Sequence, residues 1–280
     1  MDRLLDELVK AIGQACGRDI SCHDEKFLAK ALAKRLAERD NESTTTYLVR
    51  LARDHVEAEA FCRSLIVTWS EFFRNPLTCA LLEKIVLPGL IQHQQRTGRP
   101  AIRIWSAGCA AGEEAYSIAI LLDELAETLG RPITYHIFAT DILEAGLEAG
   151  RQGIYRPEAL QNVRLRHWHH YFEPYGDSSR VCARLRSQVD FSHHDLLSPD
   201  RPCPAASIYG DFDLILCCNV LLYYRADVQR AIVGRLRTCL APAGYLVTDE
   251  AERAILERDG SFTPVMPSAV IFQHTSSRER

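Results

Sequence analysis

Residues 102–117 read IRIWSAGCAAGEEAYS, and no other stretch constrains the fold as tightly. Ile102 to Trp105 form a short apolar run. Small residues and the glycines Gly108 and Gly112 follow, and Glu113 and Glu114 then open a helix-like pattern. A parallel strand turning sharply into a helix has this composition, because glycine lets the backbone bend and approach a ligand with no Cβ in the way. A second apolar run, Tyr135 to Ala139, ends at Thr140-Asp141. An acid at that strand tip suits hydrogen bonds to ribose hydroxyls, or else caps the next helix. The two units together predict an α/β, Rossmann-like ligand domain.

The turn narrows the ligand. Its glycines are not spaced as GxGxxG, which disfavours an NAD-dependent oxidoreductase. Two carboxylates at a helix start repel a pyrophosphate that the helix terminus would otherwise welcome. They suit a cofactor bearing an amino group or a sulfonium. S-adenosylmethionine has both and no phosphate. The plain alternative is an acidic helix cap.

The rest of the chain divides around this segment. Its 280 residues suffice for one α/β domain of about 200 residues and a smaller one. Residues 1–65 read as an N-terminal helical domain, with Leu4, Leu5, Leu8, Val9 and Ile12 on one face and Phe27, Ala31, Leu32 and Leu36 on the next. Ser43 to Thr46 would cap a third helix near Tyr47. Residues 66–100 are a linker and helix (Leu77 to Gln94) contributing to the active site. Residues 101–280 are the α/β domain, with a helix from Glu113 to Leu129 and later strands at Asp211 to Cys217, Ala243 to Thr248, Phe262-Thr263 and Ala269 to Phe272. Between them, Tyr171-Phe172, Val181 to Leu185 and Val189 to Phe191 break the βα rhythm. They suggest a small antiparallel β-subdomain inserted at about 165–190. Residues 276–280 read as a frayed tail.

Bulk properties exclude several classes. Net charge is −4, so nothing favours nucleic acid as a partner. No signal sequence is visible, and no apolar run approaches the roughly 20 residues of a membrane span. The ten cysteines form no CxxC pair. They fit a reduced, cytoplasmic setting better than a zinc site. Of the histidines, His193 and His194 are adjacent and would point apart in a strand, so no metal is expected.

Several further positions carry polar chemistry. Asp195, in HHDLL, lies where a third loop would meet an adenine. Asn219 ends the buried strand FDLILCC; it either holds a ligand or caps a helix, and Tyr223 and Tyr224 either line a pocket or pack. In WSEFFRNP, aromatics would shield a pocket beside Ser70, and Arg74 would pair with a carboxylate.

These residues resemble the CheR-type family of chemotaxis receptor glutamate methyltransferases. The resemblance covers nearly the whole chain through SEFFRNP (70–76), WSAGCAAGEEAYS (105–117), FATDI (138–142), GIY (153–155) and LILCCNVLLYY (214–224). It implies a small helical domain before a Rossmann-like S-adenosylmethionine-dependent methyltransferase domain with an inserted β-subdomain. It also implies methyl transfer to receptor glutamates, giving methyl esters and S-adenosylhomocysteine in bacterial signal adaptation. By resemblance, Arg74 lies beside the transferable methyl and Tyr223 lines the pocket. Glu114, with Glu113 as second choice, meets the methionine amino group, and Asp141 the ribose. Asp195 and Leu196 meet the adenine. Ser70, Ala107, Gly108, Asn219 and Val220 complete the cofactor site. The chain departs from the family at Cys218, where an arginine is usual, at Ala115, and at Thr248 to Ala251. A methyltransferase of a non-receptor acceptor and a non-catalytic S-adenosylmethionine-binding scaffold are the alternatives. The chemoreceptor cytoplasmic domain is the partner implied. With eleven Lys and Arg against twelve Asp and Glu before residue 65, only Lys26, Lys30, Lys34 and Arg35 offer a basic stripe. A single glycine, Gly176, in the turn 174–178 argues against a C-terminal peptide tether, and a monomer is expected.

Overall fold

The computed structural model describes residues 3–38, 43–207 and 210–275; the tail at 276–280 lies outside them. The chain folds as two units. One takes residues up to Val67 with Val220–Arg230, the other Thr68–Asn219 with Ala231 onward.

The first unit contains α1 (Arg3–Cys16), α2 (Glu25–Ala37), α3 (Thr44–Leu51) and α4 (His55–Ser64). Asp24, Ser43 and Asp54 cap the last three by accepting backbone N–H groups, satisfying donors a helix start leaves open. The third helix therefore begins at Thr44, three residues before Tyr47. Leu5, Leu8, Ile12, Leu28, Leu32, Leu51 and Phe61 fill the core. Glu57 is buried among them and accepts from Arg35 at 2.8 Å and from the Tyr47 hydroxyl at 2.8 Å. Arg35 thus leaves the expected basic stripe; Lys26, Lys30 and Lys34 remain exposed.

The second unit runs α5 (Pro76–Leu81), a π-turn, α6 (Leu87–Thr97), β1 (Ile102–Ala107), α7 (Glu113–Leu129), β2 (Tyr135–Asp141), α8 (Glu144–Gln152), β3 (Ile154–Tyr155), α9 (Leu165–Tyr171), β4 (Phe172–Tyr175), β5 (Ser178–Val181), α10 (Ala183–Arg186), β6 (Val189–His193) and β7 (Phe212–Leu216). Then come α11 (Ala226–Cys239), whose first turn belongs to the other unit, β8 (Leu240–Val247), α12 (Arg253–Asp259), β9 (Phe262–Pro264) and β10 (Ile271–His274). No helix among the described residues is long and apolar enough to cross a membrane.

Seven strands form one sheet in the order β6-β2-β1-β7-β8-β10-β9. The first five are parallel, and β10 runs antiparallel to both neighbours. This is a Rossmann-like α/β sheet. Its central strands are buried on both faces, which is why they read as unbroken apolar runs. Strand order reverses between β1 and β7, and ligands bind beyond the carboxyl ends of strands at such a switch point.

Two local expectations are corrected. Val189 to Phe191 is not an inserted strand but part of β6, parallel to β2 at the sheet edge. Val181 to Leu185 is not one strand; Val181 ends β5 and α10 follows. The separate antiparallel sheet is β3-β5-β4, recruiting Ile154–Tyr155 from before α9. A disulfide joins Cys203 to Cys239 with Cα atoms 6.3 Å apart, so these two cysteines are not the free thiols their scatter suggested.

Gly112 enters α7 with φ +93°, and a Cβ there would lie 2.7 Å from Phe191 Cζ. Gly112→Ala combines a backbone penalty with overpacking. It is expected to cost about 2–4 kcal/mol, a melting temperature lower by roughly 5–15 °C. Gly150→Ala meets the same ring at 2.4 Å with no positive φ. Phe191→Leu should therefore rescue Gly150→Ala more fully than Gly112→Ala, as thermal melts of the four variants would show.

Candidate active site

The turn beyond β1 is the first wall. Gly108, Ala110 and Gly112 have φ of +83°, +48° and +93°. Three left-handed residues in five reverse the chain into α7. Asp141, at the tip of β2, fixes the turn from beneath. Its Oδ2 accepts Ala110 N–H at 2.9 Å and its Oδ1 accepts Leu143 N–H at 2.9 Å. The alternatives of ligand contact and local cap are thus compatible, since each carboxylate oxygen keeps a further lone pair. The Tyr155 hydroxyl donates to Ala111 O at 2.6 Å.

Glu113 and Glu114 begin α7 and differ in access. Glu113 is buried and its Oε2 has no hydrogen-bond partner. Glu114 is partly buried, and its Oε1 accepts from Ser106 Oγ at 2.5 Å. The Cys218 thiol donates instead to Val247 O at 3.9 Å, and the Arg74 charge acts weakly on Glu114. Burial raises both carboxyls above their ordinary 4.5, and for Glu114 the Ser106 hydrogen bond opposes the shift. Cys218, the departure from the usual arginine, is held well above the ordinary thiol value by burial and then by Glu114. It is a neutral thiol here.

The second wall stands across the switch point. Asn219, just past β7, has φ +59° and a buried Oδ1 without a partner. It does not cap the short helical turn at Leu221–Tyr223, whose cap position is Val220. Its N–H instead donates to Glu252 Oε2 at 2.9 Å. Glu252 is fully buried and also accepts the Thr248 hydroxyl at 2.7 Å. Sequence reasoning missed Glu252. Its one signal was an acid shortly beyond an apolar strand, in the segment set aside for its departures at 248–251. On the far side of β2, beyond β6, Asp195 Oδ1 accepts Leu197 N–H at 2.8 Å and Leu196 O accepts Arg235 at 2.6 Å.

Ser70 and Arg74 lie in the loop before α5. Phe72 of that loop is fully buried, edge-on to Tyr155 and Phe172. Arg74 is exposed and stacks over Trp69 at 4.7 Å from the ring centroid. Val220 and Tyr223 belong to the first unit, where the Tyr223 ring packs 4.9 Å from Phe27 and its carbonyl accepts Asp24 N–H. Elsewhere Asp123, Glu127 and His170 come together, with Arg184 on Asp123 and His170 on Glu127.

Buried acids with unspent acceptors at a switch point fit a cationic, ribose-bearing ligand. A family model described as the CheR methyltransferase, SAM binding domain, matches residues 68–269. This chain belongs to the CheR methyltransferase family. A chemotaxis protein methyltransferase of Escherichia coli K12 is 33% identical over 86% of this chain and 81% of its own length. One of Listeria monocytogenes is 26% identical over 89% of this chain and 90% of its own. An uncharacterized 104.1 kDa protein of Rhodobacter capsulatus is 29% identical over 82% of this chain, which spans only 23% of that protein.

Like the rest of the CheR family, the chain is an S-adenosylmethionine-dependent methyltransferase, and the acids of the turn fit that cofactor's charge. If Glu114 meets the cofactor's amino group, the ammonium favours its ionised form and binding lowers its raised pKa. Affinity is therefore highest above that pKa and falls as pH drops through it, in a window above 4.5, with proton release on binding. Glu114→Gln should flatten this dependence and weaken binding roughly 10- to 100-fold. Calorimetry in buffers of different ionisation enthalpy reads both effects.

Proposed function

We propose that this chain methylates glutamate side chains on the cytoplasmic helices of a chemoreceptor. The observation that carries the proposal is the exposed Arg74 guanidinium, stacked on Trp69, near enough for its charge to act on the Glu114 carboxylate of the turn. One side of such a site suits a cationic donor and the other an anionic acceptor. The chemotaxis methyltransferases of Escherichia coli and Listeria monocytogenes, related along most of their length, support the same acceptor class.

A glutamate carboxylate is ionised at neutral pH, so the reaction needs no strong base. Bound S-adenosylmethionine supplies a methyl group on a positively charged sulfur. The protein's task is alignment and exclusion of water. In this reading Glu114 takes the amino group, Asp141 the ribose, Asp195 and Leu196 the adenine. Asn219, with its unspent Oδ1, contacts the cofactor alongside Ser70, Ala107, Gly108 and Val220. Arg74 orients the acceptor carboxylate. Too firm an ion pair would blunt the nucleophile, so an arginine shared with an aromatic face suits the role. The receptor's cytoplasmic domain is the partner, met by a monomer and without a C-terminal peptide tether.

With radiolabelled S-adenosylmethionine and purified receptor cytoplasmic domains, base-labile label should appear on receptor glutamates. Arg74→Ala should reduce it about 100-fold while cofactor affinity stays unchanged. Label on another acceptor, with none on receptor domains, would overturn the receptor assignment.

A further inference from the structure

Phe73, directly before Arg74, has φ +50°. A bulky aromatic holds that conformation only where its surroundings impose it. The Phe73 N–H donates to Ser117 Oγ at 3.0 Å. Ser117 is buried on α7, and its own hydroxyl proton goes to Glu113 O, one turn back, at 2.7 Å. The hydroxyl is thus oriented by the helix and presents its lone pair to the strained peptide. On the other side of Arg74, Asn75 caps α5 by accepting Thr78 N–H, with Pro76 at its first position. Arg74 therefore sits between a clamped turn and a capped helix start.

The side-chain end is held differently. Trp69 is 60% exposed, and the Arg74 guanidinium lies over its ring. No side-chain hydrogen bond or close ion pair engages Arg74 among the described residues. An acidic partner would hold the guanidinium by its in-plane donors, the same donors a substrate carboxylate needs. An aromatic face holds it through the flat side and leaves those donors open.

We propose that Ser117 and Trp69 are positioning residues for methyl transfer, Ser117 fixing the backbone of Arg74 through Phe73 and Trp69 fixing its guanidinium. The proposal rests on the reading of Arg74 as the group that orients the acceptor carboxylate. Neither residue touches the reacting atoms, and both act through Arg74.

The test is a double-mutant cycle on the whole chain, measuring kcat with receptor cytoplasmic domains and S-adenosylmethionine affinity by calorimetry. Ser117→Ala and Trp69→Leu should each lower kcat about tenfold. Trp69→Phe, which keeps an aromatic face, should retain most of the rate. Cofactor affinity should change by less than about twofold in all of them. In an Arg74→Ala background, neither substitution should lower the rate further. Wild-type kcat in Trp69→Leu, or losses that persist in full without Arg74, would overturn the proposal. Should Ser117→Ala fail to fold, the exposed Trp69 pair carries the same cycle. Wild-type transfer by Arg74→Ala alone would instead remove the reading on which the proposal rests.

Discussion

Two carboxylates set into the first turn of a helix, with no cation among the described residues bonded to either, are the constraint from which the site follows. Removing a carboxylate from water costs several kcal/mol unless hydrogen bonds or an opposite charge offset it. Ser106 supplies part of that offset at Glu114, and the positive end of the α7 dipole adds a little more. Glu113 still keeps a buried oxygen without a partner. A cationic ligand completes this arrangement. The left-handed turn at Gly108 to Gly112, the Phe191 ring against Gly112 and the Asp141 carboxylate beneath Ala110 hold the acids in place.

Strand order gives that turn its opposite wall. Because β7 pairs on the other side of β1 from β2, the ends of β1 and β7 flank the gap where connections diverge. Asn219 lies on the far lip with its backbone held by Glu252. Glu252 thereby ties the end of β7 to the segment after β8. Asp141 and Asn219 thus lie at strand tips, Asp141 held by backbone N–H groups and Asn219 by the Glu252 carboxylate, with lone pairs left for a ligand.

Much of this was legible in the chain. The bounds of α7 followed from Glu113 and Gly130, and Asp141 from its place at the end of an apolar run. Those signals are local: a glycine with positive φ, a strand buried on both faces, a helix period. What escaped was non-local or ambiguous. Strand β6 alternates buried and half-buried residues, the pattern of a half-exposed antiparallel strand, although it is a parallel edge. Glu252 meets Asn219 across 33 residues, and Cys203 meets Cys239 across 36; no spacing announces either contact. The left-handed Phe73 has no composition signal at all, since the hydroxyl that stabilises it comes from α7. By sequence alone Asn219 is equally a ligand contact or a helix cap; its positive φ and unpartnered Oδ1, with Val220 at the cap position, exclude the cap.

On the proposed reading, the acidic turn after β1 and the tip of β2 together hold the cofactor by its charged and ribose ends. A crystal structure with S-adenosylhomocysteine tests it most directly. The account predicts the amino group within hydrogen-bond reach of Glu114 and the ribose hydroxyls on Asp141. A ligand bound with its ribose away from Asp141, or with Glu114 facing no amino group, would contradict it.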